Sequence, residues 1–158
     1  LRAGMKRGDR VATLMWNQPT HLEAYFGIPV AGGVIHTLNL RLHPDEIAFI
    51  AKHAGDRFLI VDDVLLPIYE KFRDTIPFEC VFVAPFSGEP VPQGYESYET
   101  LLAQATGKFA YPKIDEDDAA GMCFTSGTTG RSKGVVIDVK GTFTHADFAS
   151  SGLLYWRL

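Results

Sequence analysis

Short, continuous apolar runs alternate with segments of helical spacing along the 158-residue chain. Val11–Trp16 is a compact hydrophobic run of strand length, bounded by Gly8-Asp9 and by Asn17-Gln18-Pro19. Thr20–Ala31 is patterned as a helix closed by Gly32-Gly33, and a second short run, Val34–Leu38, follows. Pro44–Ala54 is the clearest helix. Pro44 suits a first helical position, Asp45 and Glu46 oppose the positive end of the helix dipole, and Ile47, Ile50, Ala51 and Ala54 form one apolar stripe. Lys52 and His53 occupy its last turn, and Gly55 fits a left-handed closing position.

Phe58–Val61 is apolar at every position, as expected of a parallel strand covered on both faces. A helix is predicted over Leu65–Asp74 and a strand over Val81–Ala84. Pro85–Glu96, with three prolines and two glycines, reads as a surface loop. A short helix over Ser97–Ala105 has Ser97 as its cap, and Lys108–Asp118 is linker-like. Strands at Ala120–Thr125 and Gly134–Val139 flank a loop of small residues. Strands alternating with helices predict an α/β doubly wound sheet, in which ligands gather beyond the carboxyl ends of the strands.

Composition narrows the function. Hydrophobic residues make up 46% and charged residues 22%, which fits one ordinary globular domain. A net charge of -4 and a pI near 5.7 argue against nucleic acid as a partner. No apolar stretch has the length of a transmembrane segment. Cys80 and Cys123 match no zinc or redox spacing and are expected to be buried, reduced thiols of a cytoplasmic protein. His21, His36, His43, His53 and His145 show no metal-ligand spacing, so surface or helix-terminal roles are expected. Asp115–Asp118 reads as a solvated run, since adjacent carboxylates repel. Trp16, Tyr25 and Phe26 are expected in the core, and Tyr155 and Trp156 as an apolar patch near the end of the chain.

The chemistry concentrates in Thr125-Ser126-Gly127-Thr128-Thr129-Gly130-Arg131-Ser132-Lys133-Gly134. These ten residues carry five hydroxyls, three glycines and two cations, with no carboxylate. Glycines let the main chain approach a ligand, successive amides form an anion-binding nest, and Lys133 supplies a compact charge suited to phosphate. A Walker loop started at Gly127 would need glycine at 132 and a hydroxyl at 134, where Ser132 and Gly134 stand. A serine-hydrolase elbow fails because Phe124 lies two residues before Ser126. Glycine and threonine alone fit a solvated hairpin equally well; the full string is more specific.

That string resembles the phosphate-binding signature of the adenylate-forming superfamily, Thr-Ser-Gly-Thr-Thr-Gly-x-Pro-Lys-Gly. Nine of ten positions agree, counting the variable one, with Ser132 in place of proline. The likeness extends to Gly8–Ala12, His21–Phe26 with Gly32-Gly33, and His36–Leu42. Together with Ala120–Cys123, the His36–Leu42 block is most similar to bacterial medium- and long-chain fatty-acid CoA ligases. The resemblance implies a partly built sheet of the large amino-terminal domain, spanning residues 1–158, with a carboxy-terminal domain outside it. It further implies ATP, Mg2+ and coenzyme A as cofactors, a fatty acid or other small carboxylic acid as substrate, and a homodimer as an assembly found in the family. The implied nucleotide-binding residues are Thr125, Ser126, Gly127, Thr128, Thr129, Gly130 and Lys133.

Departures also carry expectations. After Val136 the chain reads Ile137-Asp138-Val139 rather than an aromatic, a hydroxyl and His-Arg, so His145 takes no role. The glutamate that helps hold magnesium and the adenylation lysine have no counterpart, and a chain lacking them is expected to be inactive alone. A non-catalytic nucleotide- or protein-binding module, and an adenylating enzyme for an aromatic or amino acid, are the alternatives.

Overall fold

The computed structural model describes residues 3–105, 107–125, 133–138 and 154–157; for Thr125 and the last two segments it describes the backbone. The chain begins with β1 (Arg10–Leu14), α1 (Pro19–Val30), β2 (Val34–Thr37), α2 (Pro44–Ala54) and β3 (Phe58–Asp62). A short α3 (Leu66–Tyr69), flanked by 3-10 turns, leads to β4 (Cys80–Ala84), β5 (Glu96–Ser97) and α4 (Tyr98–Ala103). Three strands follow: β6 (Gly121–Thr125), β7 (Lys133–Asp138) and β8 (Leu154–Arg157). They form one sheet in the order β5-β4-β3-β1-β2-β6-β7-β8. It is parallel from β5 to β6, β7 is antiparallel to β6, and β8 is parallel to β7. The expected α/β sheet is present, with β8 an additional strand.

The central strands β1, β3 and β4 are mostly apolar because both their faces are covered. Ala12 and Leu14 of β1, Leu59 and Val61 of β3 and Val83 of β4 pack with Ile47, Ile50 and Ala51 of α2. The alternate positions Val11, Phe58, Ile60 and Phe82 pack with Ala24 and Ile28 of α1 and with Tyr98 of α4. The two-residue period of a strand thus divides one apolar run between two helical layers. The order in which strands are added reverses between the parallel β1 and β3, which send their following segments to opposite faces, the arrangement that opens a crevice at the carboxyl edge.

α2 keeps its expected bounds, with Gly55 left-handed at φ 68° and its amide bonded to helix carbonyls. A Cβ on Gly55 would lie 2.8 Å from the Arg10 guanidinium, so this glycine is held by close approach as well as by φ. Other boundaries shift. α1 starts one residue earlier than the pattern predicts, at Pro19. The helix predicted over Leu65–Asp74 is broken, with α3 followed by a separate 3-10 turn at Arg73–Thr75. Phe72 leaves helical geometry at φ -131°, and Ile76, extended at φ -129°, precedes Pro77, which disfavours helical geometry in the residue before it. Glu96, expected in a loop, pairs in β5, and Ser97 caps α4 by accepting from the Thr100 amide at 3.3 Å.

Trp16, Tyr25 and Phe26 are not core. They are exposed by 42%, 46% and 68%; on α1 it is His21, Ala24 and Ile28 that are buried, rather than Tyr25 and Phe26. α1 is apolar around most of its circumference, so periodicity could not select its buried side. Cys80 and Cys123 are free and half-buried rather than buried. Among the described residues no helix is long and apolar enough to cross a membrane.

Candidate functional site

β6 runs parallel to β2 and ends at Thr125, so the ten-residue signature begins at the carboxyl edge of the sheet, where ligands of doubly wound folds collect. Thr125 stands directly opposite Lys133 in the antiparallel pairing of β6 with β7. The fold therefore brings together the two ends of the signature. Ser126, Gly127, Thr128, Thr129 and Gly130, the other implied nucleotide-binding residues, lie outside the described residues, as do Arg131, Ser132 and His145.

The root of this hairpin rests on a network that sequence reasoning missed. His36 is fully buried, not at the surface, and its Nδ1 lies 2.7 Å from Asp56 Oδ2 in a pair with no exposed side-chain area. Burial pushes the Asp56 carboxyl above the usual carboxylate range, against the pull of His36 and Arg10. The His36 ring packs against Phe124 at 5.2 Å between centroids, and His53 meets the same ring edge-on at 5.9 Å. His53 in turn stacks on Phe49 at 5.8 Å. The available signal was position: His36 interrupts an apolar strand, and Asp56 follows the glycine that ends α2. His43 and His53 do occupy helix termini, as expected, at the start and in the last turn of α2.

A second polar cluster closes the carboxyl ends of β1 and β3. Asp62, fully buried at the end of β3, accepts from the Trp16 amide at 2.7 Å and from the Gln18 side-chain amide. Burial raises the Asp62 carboxyl's pKa, while these donors oppose the shift. His21, in the first turn of α1 and buried there, places Nε2 3.0 Å from the Thr13 hydroxyl and Nδ1 3.2 Å from the Trp16 carbonyl. Together these contacts hold the turn from β1 into α1.

Burial lowers the His21 pKa from 6.5, outweighing its bond to Trp16. The unfolded chain therefore binds more protons here than the folded one. The stability His21 contributes is complete above 6.5 and is lost as pH falls through its lower folded value. His21→Gln is expected to flatten the loss of urea midpoint between neutral pH and about pH 5. Parallel pH profiles for the two proteins would refute this assignment.

At the opposite edge of the sheet, Arg7, Gly8, Arg10, Gly32 and Gly121 line a cleft of about 190 Å³. Asp118 forms one wall and pairs with Arg7 at 2.6 Å. The acidic run is thus mostly solvated, as expected, but its last member is tied to the body of the fold. The Asp118 carboxyl bonds the Asp115 amide at 3.1 Å, folding the run into a turn.

A doubly wound sheet with the signature opening at the carboxyl end of a parallel strand defines the class of an α/β domain. The chain belongs to the AMP-binding enzyme family, whose model matches residues 1–154. It is 39% identical over 148 residues to a 3-methylmercaptopropionyl-CoA ligase of Ruegeria pomeroyi, covering 91% of this chain and 28% of that protein. It is 45% identical over 152 residues to a long-chain-fatty-acid–CoA ligase of Thermus thermophilus, covering 95% of this chain and 27% of the relative. The crystal structure of the anthranilate CoA ligase AuaEII in complex with anthranoyl-AMP is similar at a TM-score of 0.77 and 27% identity. That match covers 84% of this chain and 25% of the other. The chain spans little more than a quarter of the length of these relatives.

Proposed function

We propose that this chain is the phosphate-binding part of an ATP-dependent fatty-acid–CoA ligase. A carboxylate oxygen attacks the α-phosphorus of ATP and expels pyrophosphate. The thiol of coenzyme A then attacks the acyl carbonyl, and AMP leaves. In this reading Thr125, Ser126, Gly127, Thr128, Thr129, Gly130 and Lys133 hold the β- and γ-phosphates, the amides and hydroxyls as neutral donors and Lys133 as a charge. Fixed donors aimed at phosphate oxygens stabilise charge that shifts during transfer, so positioning is the contribution this chain makes. Among the described residues no three His, Cys, Asp or Glu side chains converge.

One observation carries the reading. The signature starts where parallel β6 ends, with Thr125 and Lys133 facing each other across the hairpin root. The likeness to the long-chain-fatty-acid–CoA ligase supports the acyl class. An aromatic acid is the second reading, favoured by the similarity to a ligase that holds anthranoyl-AMP.

The test is carboxylate-dependent ATP–pyrophosphate exchange by the complete polypeptide that contains this chain, across fatty, aromatic and amino acids. Exchange stimulated most by fatty acids is the expected result. Stimulation by aromatic acids alone would replace the fatty-acid reading with the second. Saturable ATP binding with no exchange on any acid would leave a nucleotide-binding module and remove the ligase.

A further inference from the structure

β6 is attached to the body of the sheet for only part of its length. Its pairing with β2 consists of Ile35↔Gly121 and His36↔Met122. From Cys123 onward its paired neighbour is β7, with Phe124 opposite Gly134. A glycine offers no side chain across the hairpin to grip the Phe124 ring. The ring instead packs inward on the α2 side of the core, between His36 and His53. These two histidines are themselves anchored, His36 by Asp56 and His53 by Phe49. Phe124 immediately precedes Thr125, the first residue of the signature.

We propose that Phe124 is a positioning residue, its ring clamped by His36 and His53 so that Thr125 and Lys133 are held in register at the carboxyl edge of the sheet. The proposal rests on the reading of this hairpin as the ATP-phosphate site. Past Met122 the strand has lost its ladder to β2, and ring contacts replace it. Aromatic pairs of this geometry contribute beyond their buried area, and small displacements of phosphate-binding groups are costly in rate. The ring therefore acts on where the phosphate ligands stand, without touching the nucleotide itself.

The experiment compares Phe124→Leu, Phe124→Tyr, His53→Ala and His53→Phe in the complete polypeptide. KM for MgATP and KM for the acid are measured separately, with thermal unfolding alongside. Phe124→Leu is expected to raise KM for MgATP about tenfold while the acid KM changes less than about twofold. Phe124→Tyr keeps the ring and is expected to restore near-normal values. His53 is solvent-exposed on α2, so His53→Ala tests the clamp without opening the core even if Phe124→Leu fails to fold. It should raise KM for MgATP about threefold, and His53→Phe should rescue it. An unchanged KM for MgATP in folded His53→Ala, with the unmodified protein using ATP normally, overturns the clamp alone. Equal changes in both KM values would also overturn it, since that is the mark of general destabilisation. An unmodified protein that neither binds nor uses ATP overturns the clamp together with the reading beneath it.

Discussion

Lys133→Ala in the complete polypeptide is expected to lower kcat/KM for MgATP by about 10²-fold while leaving the unfolding temperature unchanged, a loss typical of removing one aligned donor from a developing charge. Lys133 is the first residue of β7 and faces Thr125, and directly opposed residues have Cα atoms about 5 Å apart. Its place in the backbone ladder survives truncation to alanine, so the substitution removes a charge rather than an element. The signature contains no carboxylate to neutralise that charge, and Arg131 lies at the position where the family pattern is variable. Lys133→Arg retains the charge but replaces a compact ammonium with a planar fork, so partial recovery is expected. A Lys133→Ala protein with unaltered adenylation kinetics would remove this residue from the phosphate site.

The elements that could be read from the sequence were those whose signals are local. α2 has its proline, its acidic first turn and its closing glycine inside one short segment, and its predicted ends are the observed ones. The parallel character of the central sheet followed from Phe58–Val61, which offers no polar face. The signature stood out in the sequence for a different reason: few ten-residue strings combine hydroxyls, glycines and a lysine without a carboxylate.

The missed features depend on partners far away in sequence. His36 and Asp56 are twenty residues apart, and Trp16 and Asp62 forty-six. Position can mark one member, as His36 is marked by interrupting an apolar strand, but nothing local names its partner until the sheet brings strand β2 beside the end of α2, or β1 beside β3. Aromatic residues misled for a related reason. On α1 the bulky side chains were placed inside by size, whereas the sheet takes the smaller Ala24 and Ile28 together with His21, and Tyr25 and Phe26 stay exposed. Size predicts burial only when the opposing surface has room for it.

Removing the Asp56 carboxylate should then be the most damaging single change in the described fold. Asp56→Ala is expected to cost about 3 kcal/mol of stability, read as a lower urea midpoint at unchanged slope. His36 would keep its fully buried position with no partner at Nδ1, and its Nε2 already has none among the described residues. Arg10 would lose a nearby negative charge at the same time. Asp56→Asn leaves an oxygen to accept from the imidazole and should cost about 1 kcal/mol. The pH dependence has a definite sign. Because burial raises the Asp56 pKa above 3.8, the folded state holds this proton more tightly than the unfolded chain. This group's contribution therefore falls as pH rises from 3.8 through the higher folded value, and Asp56→Asn should remove that fall. The double substitution His36→Leu with Asp56→Leu separates two roles for the pair. A buried hydrogen-bonded pair replaced by apolar residues of similar shape can be nearly neutral for stability. Near-wild-type stability in the double variant, with KM for MgATP raised as in Phe124→Leu, would show that the pair is retained to hold Phe124. A double variant as unstable as Asp56→Ala would show instead that the pair stabilises the fold itself.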